Sequence, residues 1–272
     1  MAEKETINKP KDLIEPVPEE LSKIELKDAL GESIIEDQVK QKRLTKEERK
    51  AMFESEAGKK ALEAWVPKTN LGRLVKEGKI KNIKDIFSTG RKILESEIVD
   101  SLLHLEPALL LIGQAKGKFG GGKRRAWRQT QRKTMEGNVV TFSCMAAVGD
   151  KKRYVGVGYG KAKETLPARA KALRNAKLNI IKITRGYETP EEGKTDPHTV
   201  PFVVEGKCGS IRIKLIPAPR GTGLVIGDES KKILRLAGIQ DVYAVTKGQT
   251  RTTFNVAKAC IDALKKTNEE LL

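Results

Sequence analysis

Three glycines at alternate positions, Gly156, Gly158 and Gly160, punctuate the run Val155-Gly-Val157-Gly-Tyr159-Gly. Read as a strand, this run puts Val155, Val157 and Tyr159 on one face and bare backbone on the other. A bare face requires close approach by a neighbour, either a packed helix or RNA. It is not a dinucleotide fingerprint, because the glycine interval is wrong and the run leads into Lys161. Just upstream, Val139 to Val148 alternates as a strand, with Val140, Phe142, Cys144, Ala146 and Val148 on one face and Thr141 and Ser143 on the other. Gly149 to Lys152 forms the turn between the two. A helix is predicted from near Glu164, with Pro167 tolerated in its first turn. Leu166, Ala170, Leu173 and Ile180 mark its buried stripe, and Arg169, Lys171, Arg174 and Lys177 lie around the rest. A short apolar strand follows, so the unit reads β-β-α-β.

A basic, glycine-rich segment leads into this unit. Lys116, Lys118, Lys123, Arg124, Arg125, Arg128, Arg132 and Lys133 put eight cations within eighteen residues. Gly117, four residues, then Gly122-Lys123 imitates a phosphate loop. The match fails at Arg124, which stands where a Ser or Thr must hold magnesium, and no strong strand precedes it. The segment instead predicts a flexible arm laid along RNA phosphates, with Trp127 either stacking on a base or anchoring the arm.

The charge balance agrees. The 272 residues carry a net charge of +17, from 53 Lys and Arg against 36 Asp and Glu. Residues 1–60 hold 13 of the bases and 15 of the acids, so the excess on residues 61–272 is 19 positive charges. Such a body calls for a polyanionic partner. Aromatic content of 4% argues against a binder that stacks base after base, and favours reading of backbone and shape. The hydrophobic fraction, 38%, lies below the usual range of about 45–50%, so part of the chain adds nothing to a core.

Residues 1–60 read as a charged leader, disordered or in solvated helices. Residues 61–116 read as a helical segment, with Leu71, Leu74, Val75, Ile80, Ile83 and Phe87 at helical spacing and Gly72 and Gly78 as breaks. Ser96 is a predicted N-cap and Pro107 a stop, and His104 among leucines reads as a packed histidine. Residues 186–198 read as a linker. Beyond it, over 197–268, Val200 to Val204 is a predicted strand. Ser210 to Ile216 alternates, with Ile211, Ile213 and Leu215 inward and Arg212 and Lys214 outward. A helix from Glu229 ends at Gly238, with Asp228 its N-cap. Then come a strand from Asp241 to Thr246 and a final helix with Phe254, Ala257, Ile261 and Leu264 inward. The fold class is therefore α+β. Three scattered cysteines, Cys144, Cys208 and Cys260, form neither a disulfide framework nor a metal-ligand pair. The longest apolar run, near Ala108 to Gly113, is far short of a membrane span. A protein of the cytoplasm, with no cofactor, no metal and no membrane partner, is expected.

Taken together, GYGKAKE (158–164), EGKCGSIRIKLIPAPRGTGLVIGD (205–228), LAGIQDVY (236–243) and GQTRTTFNVAKA (248–259) resemble the small-subunit ribosomal protein five family. WVPKTNLGRLVKEGKI and PHTVPF resemble its archaeal and eukaryotic branch. The resemblance implies a domain similar to double-stranded-RNA-binding domains over 117–185, then an α/β domain with a β-α-β crossover. It implies contact with ribosomal RNA near the decoding region and the point where messenger RNA enters, and with small-subunit proteins four and eight. It places RNA contacts at Arg132, Lys133 and Gly137, at Lys151, Lys152 and Arg153, and at Lys161 and Lys163. Arg220 and the stretch from Gln249 to Arg251 resemble the second domain's contacts. Two departures stand out: Asn138 replaces a usual basic residue, and 186–198 lacks the cysteines some relatives carry, so no zinc site is expected. The competing readings are a free double-stranded RNA-binding regulator and a phosphotransferase cradling phosphate in PRGTGLVIGD. The second lacks a general base or metal carboxylates.

Overall fold

The computed structural model describes residues 62–114, 124–189 and 196–269. The chain divides into residues 1–64 and 65–272, and every element named here belongs to the second part. The charged leader, residues 1–60, and residues 115–123 of the arm lie outside the described residues.

Three short helices come first, α1 (Asn70–Lys76), α2 (Ile83–Ser88) and α3 (Ser96–Leu102). The Thr69 hydroxyl accepts the Gly72 N–H at 3.0 Å and starts α1. Gly78, at φ 74, ends it in the left-handed conformation. Gly72 is not a break: it is buried inside α1, where a Cβ would meet Pro67, Glu95 and Trp65 at 3.0 to 3.1 Å. Ser96 is not the cap of α3 either, since that position belongs to Glu95.

Glu95 was not singled out by sequence, yet it ties this corner together. Its carboxylate accepts the Trp65 indole N–H at 2.9 Å and the Lys68 and Thr69 backbone N–H at 3.0 and 2.6 Å, while only 7% exposed. Burial pushes its pKa up, but the donors from Thr69, Lys68 and Trp65 more than offset this and hold it below the ordinary value. A lowered folded pKa gives stability that is present above the unfolded value of about 4.3 and lost as pH falls through the folded value. Glu95→Ala is expected to cost about 3 kcal/mol at pH 7, because it strands three donors. It should also lose less on acidification than the parent chain. Urea midpoints at pH 7 and pH 3 test this, and equal midpoints for the two chains at pH 7 would contradict it.

The first sheet is built on one long strand. β1 (Glu106–Leu109) and β2 (Trp127–Thr134) lie in tandem along one edge of β3 (Gly137–Gly149). β4 (Tyr154–Ala162) pairs with the other edge, and β5 (Ile180–Lys182) pairs with β4. Helix α4 (Thr165–Leu178) crosses between β4 and β5, so the β-β-α-β unit is present with two further strands added. Pro107 therefore sits in an edge strand, where its missing N–H is tolerated, and not simply after a helix.

The bare glycine face meets α4. A Cβ on Gly156, Gly158 or Gly160 would lie 2.2, 2.1 or 2.3 Å from backbone atoms of Ala176, Ala176 and Ala168. Only alanine fits on the helix side, and Ala168, Ala172 and Ala176 are fully buried there. This corrects the expected stripe, since Leu166 is 71% exposed and Ala170 is exposed.

The second sheet runs β6 (Val204–Cys208), β7 (Ile211–Pro217), β9 (Val242–Lys247), β8 (Leu224–Val225). α5 (Asp228–Ala237) connects β8 to the parallel β9, which is the β-α-β crossover, and Gly238 caps it at φ 82. Gly227, and not Asp228, is the N-cap of α5. α6 (Thr253–Glu269) closes the chain. Val200 is buried, but the strand expected from it begins only at Val204. Ile211, Ile213 and Leu215 point inward as expected, each fully buried.

One apolar core spans both sheets. Met145, Ala147 and Val155 of the first pack with Ile211 and Ile213 of the second, with Ile233 of α5 and with Leu264 of α6. The Lys151 N–H donates to Leu236 O at 2.9 Å, and Arg185 Nη1 donates to Gly238 O at 3.1 Å. The expected linker, 186–198, is closed at its ends, where Thr199 is buried and bridges to Gly186.

Candidate nucleic-acid interface

β3 outruns its neighbour. β4 pairs with it only from Phe142 onward, so residues 130–141 form a two-stranded ribbon of β2 and β3 alone. Met135, fully exposed, and Glu136 form its tip, with Gly137 at φ 118 closing the turn. Such ribbons are marginal in water unless fastened. Here the Thr130 and Thr141 hydroxyls meet at 2.8 Å. At the root, the Trp127 ring stands edge-on to Phe142, with centroids 5.4 Å apart, and the Arg125 guanidinium lies 4.8 Å over the Trp127 ring. Trp127 is thus packed as an anchor. The expected flexible arm is corrected over its second half, because residues 127–133 are a paired strand.

The ribbon carries Arg132 and Lys133, and Arg128 stands at its root, all three exposed. Register sets Arg128 opposite Ser143, and Ser143 opposite Lys161, giving a row across three strands. On this face the sheet is apolar core at Met145 and Ala147 and becomes polar at Ser143 and Thr141. Lys163 is exposed just beyond β4, at the same end of the sheet. Arg124 is exposed at the near end of the arm. Lys116, Lys118 and Lys123 lie outside the described residues.

Lys151, Lys152 and Arg153 sit at the other end of β3, about 20 Å away at the usual rise per residue. Their turn is fixed by Asp150, whose Oδ1 accepts the N–H groups of Lys152, Arg153 and Tyr154, each at 2.8 Å. Lys151 borders a groove of about 530 Å³ with Arg185, Lys231 and Arg235. Sequence reasoning missed these last three. Lys231 and Arg235, one turn apart on α5, carried a legible signal; Arg185 carried none. Arg220 and Arg251 are exposed on the loops of the second sheet and join neither group.

Little here suits bond-making chemistry. Burial pushes Cys144 up, and pushes Cys260 up to about 12 with slight relief from Ser230, so neither is a ready thiolate. Glu229, beside the PRGTGLVIGD stretch, is held by the Leu111 N–H at 2.7 Å and by Lys232. His104 is exposed, contrary to its expected packing. Among the described residues no group of three His, Cys, Asp or Glu is placed to hold a metal ion, and no helix is long and apolar enough to cross a membrane.

Residues 126–184, on the first sheet and α4, match the family model for ribosomal protein S5, N-terminal domain. Residues 206–270 match that for ribosomal protein S5, C-terminal domain. A protein of Nanoarchaeum equitans named small ribosomal subunit protein uS5 is 50% identical over 75% of this chain and 88% of its own length. The chain belongs to the ribosomal protein S5 family. Proteins of the same name from Aeropyrum pernix and Methanococcus maripaludis are 47% and 44% identical, over 79% and 81% of this chain and 93% and 90% of theirs. The S5 N-terminal match contains the ribbon, the Arg128–Lys161 row and the Lys151–Arg153 turn. The S5 C-terminal match contains Arg220, Lys231, Arg235 and Arg251.

Proposed function

We propose that this chain is a structural, non-catalytic protein of the small ribosomal subunit in the cytoplasm, holding ribosomal RNA through two separate basic surfaces. The observation that carries this is the register that brings Arg128 and Lys161 into one row at the root of a projecting basic ribbon. One surface is the ribbon with the end of β4: Arg124, Arg125, Arg128, Arg132, Lys133, Lys161 and Lys163, continued by Lys116, Lys118 and Lys123 of the arm. The other is Lys151, Lys152 and Arg153 with Arg185, Lys231 and Arg235. Cations at a protein surface neutralise phosphates, fix register and orientation, and carry little base specificity.

Family likeness adds the finer proposals. These are a position near the decoding region and the point of messenger RNA entrance, support of decoding accuracy, and contacts with proteins four and eight. Arg220 and Arg251 are assigned to the second sheet's contacts with protein or RNA. The alternative, a free double-stranded RNA-binding regulator, is disfavoured by the core shared between the two sheets, which a lone duplex-binding module does not need.

The test is sedimentation of cell lysate through a sucrose gradient after a high-salt wash. About one copy per small subunit is the expected result. Absence from that peak, with binding to arbitrary duplex RNA, would replace this reading with the free regulator.

A further inference from the structure

The face of the first sheet that carries the Arg128–Ser143–Lys161 row is not all open. α6 crosses its polar end, and Phe254 and Lys258 of that helix come over Tyr159 and Lys161 of β4. Between them lies a groove of about 290 Å³, at the small end of the range for ligand sites. None of its lining residues is acidic, and three are cationic: Arg128, Lys161 and Lys258. The Tyr159 and Phe254 rings meet edge to face, with centroids 5.4 Å apart and planes at 72°. Tyr159 is 42% exposed, although Met145 opposite it is buried. A half-exposed aromatic beside three cations, in a groove of this size, matches the parts of one nucleotide: a flat base and a phosphate.

We infer that this groove holds a single unpaired nucleotide extruded from an RNA helix, its base on Tyr159 and its phosphate among Arg128, Lys161 and Lys258. The inference rests on the RNA-binding reading above and adds a base-stacking position to it. A low aromatic content argues against a long stacking track, but it leaves room for one such position. The surroundings favour RNA over a free mononucleotide. A second groove of about 370 Å³ continues past Tyr159 and Lys258, bordered by Lys207 and Lys265, so a chain has a path beyond the first. The acid in that second groove, Asp262, already accepts the Lys207 backbone N–H at 3.0 Å.

Fluorescence anisotropy with the full chain tests this, using a fully paired RNA duplex, the same duplex with a one-nucleotide bulge, and AMP. The chain is expected to bind the bulged RNA about 10-fold more tightly than the paired one, the size of one stacked base. Tyr159→Leu, which keeps an apolar contact for Phe254, should bring the two affinities together without changing that for the paired duplex. Lys258→Ala, at an exposed helix position, should weaken bulged-RNA binding alone. Equal affinity of the parent chain for both duplexes overturns this site and leaves phosphate binding intact. Binding to neither duplex overturns both readings. Saturable AMP binding without any bulge preference overturns the RNA source and assigns the groove to a free mononucleotide.

Discussion

Gly158→Val is expected to push α4 away from the first sheet and to lower the melting temperature of the chain by about 10 °C or more. A Cβ at this position falls 2.1 Å from Ala176 N, 2.4 Å from Ala172 O and 2.6 Å from Asn175 C, all backbone atoms. No side-chain rotation relieves such contacts, so the helix must move as a body. It is held by the Lys177–Asp100 ion pair at 2.7 Å and by Asn175 Nδ2 donating to Tyr159 O at 2.7 Å. Moving it would also uncover Ala168, Ala172 and Ala176, which are fully buried. The cost should exceed about 4 kcal/mol, a large share of the roughly 5–15 kcal/mol that stabilises an ordinary domain. For a folded part of this size that corresponds to a Tm lower by about 10 °C or more. Gly158→Ala should already destabilise, because the clash begins at Cβ. Gly227→Ala is the control: it has open space and φ −61, and should cost under about 1 kcal/mol. Thermal melts of the three variants decide the point. A Gly158→Val chain melting with the parent would show that the bare face does not receive the helix.

That glycine row was the part of the fold most open to reading from sequence, because alternate glycines allow so few neighbours. Composition along the row left a helix and RNA both open, and the structure gives the face to α4. The helix's buried stripe misled for the same reason. Leucine normally marks the inward face, but close approach to bare backbone admits only alanine, so Leu166 is turned outward. β7 was legible because one face is buried and the other is not, which writes period two into Ile211, Ile213 and Leu215. β2 was hidden because WRQTQRKT is solvated along most of its length and no apolar alternation develops. β1 was hidden by Pro107, which an edge strand accepts.

The candidate site divides in the same way. Cation clusters close in sequence, such as Arg124 with Arg125 and Lys151 to Arg153, were visible directly. Their grouping in space was not, because it depends on register: Arg128 and Lys161 stand 33 positions apart and meet only through Ser143. Arg185 and Lys258 were invisible for that reason. Glu95 was missed because a buried carboxylate is defined by its donors, and Trp65 is thirty positions away.

Arg128, Arg132 and Lys133 are exposed on strands whose pairing does not use their side chains, so replacing all three with alanine should leave the melting curve in place. If each neutralises one phosphate, each contributes about −0.7 to −0.9 to the slope of log affinity against log salt. The triple variant should therefore lose about 2 to 3 units of slope. That amounts to a loss of affinity on the order of 100-fold at physiological salt, shrinking as salt approaches 1 M. The measurement is the affinity of the full chain for small-subunit ribosomal RNA across a salt series, parent against triple variant. Slopes differing by about 2 to 3, with affinities converging at high salt, are expected if the ribbon lies along RNA phosphates. Parallel slopes with unchanged affinity would contradict it and remove the ribbon from the RNA interface.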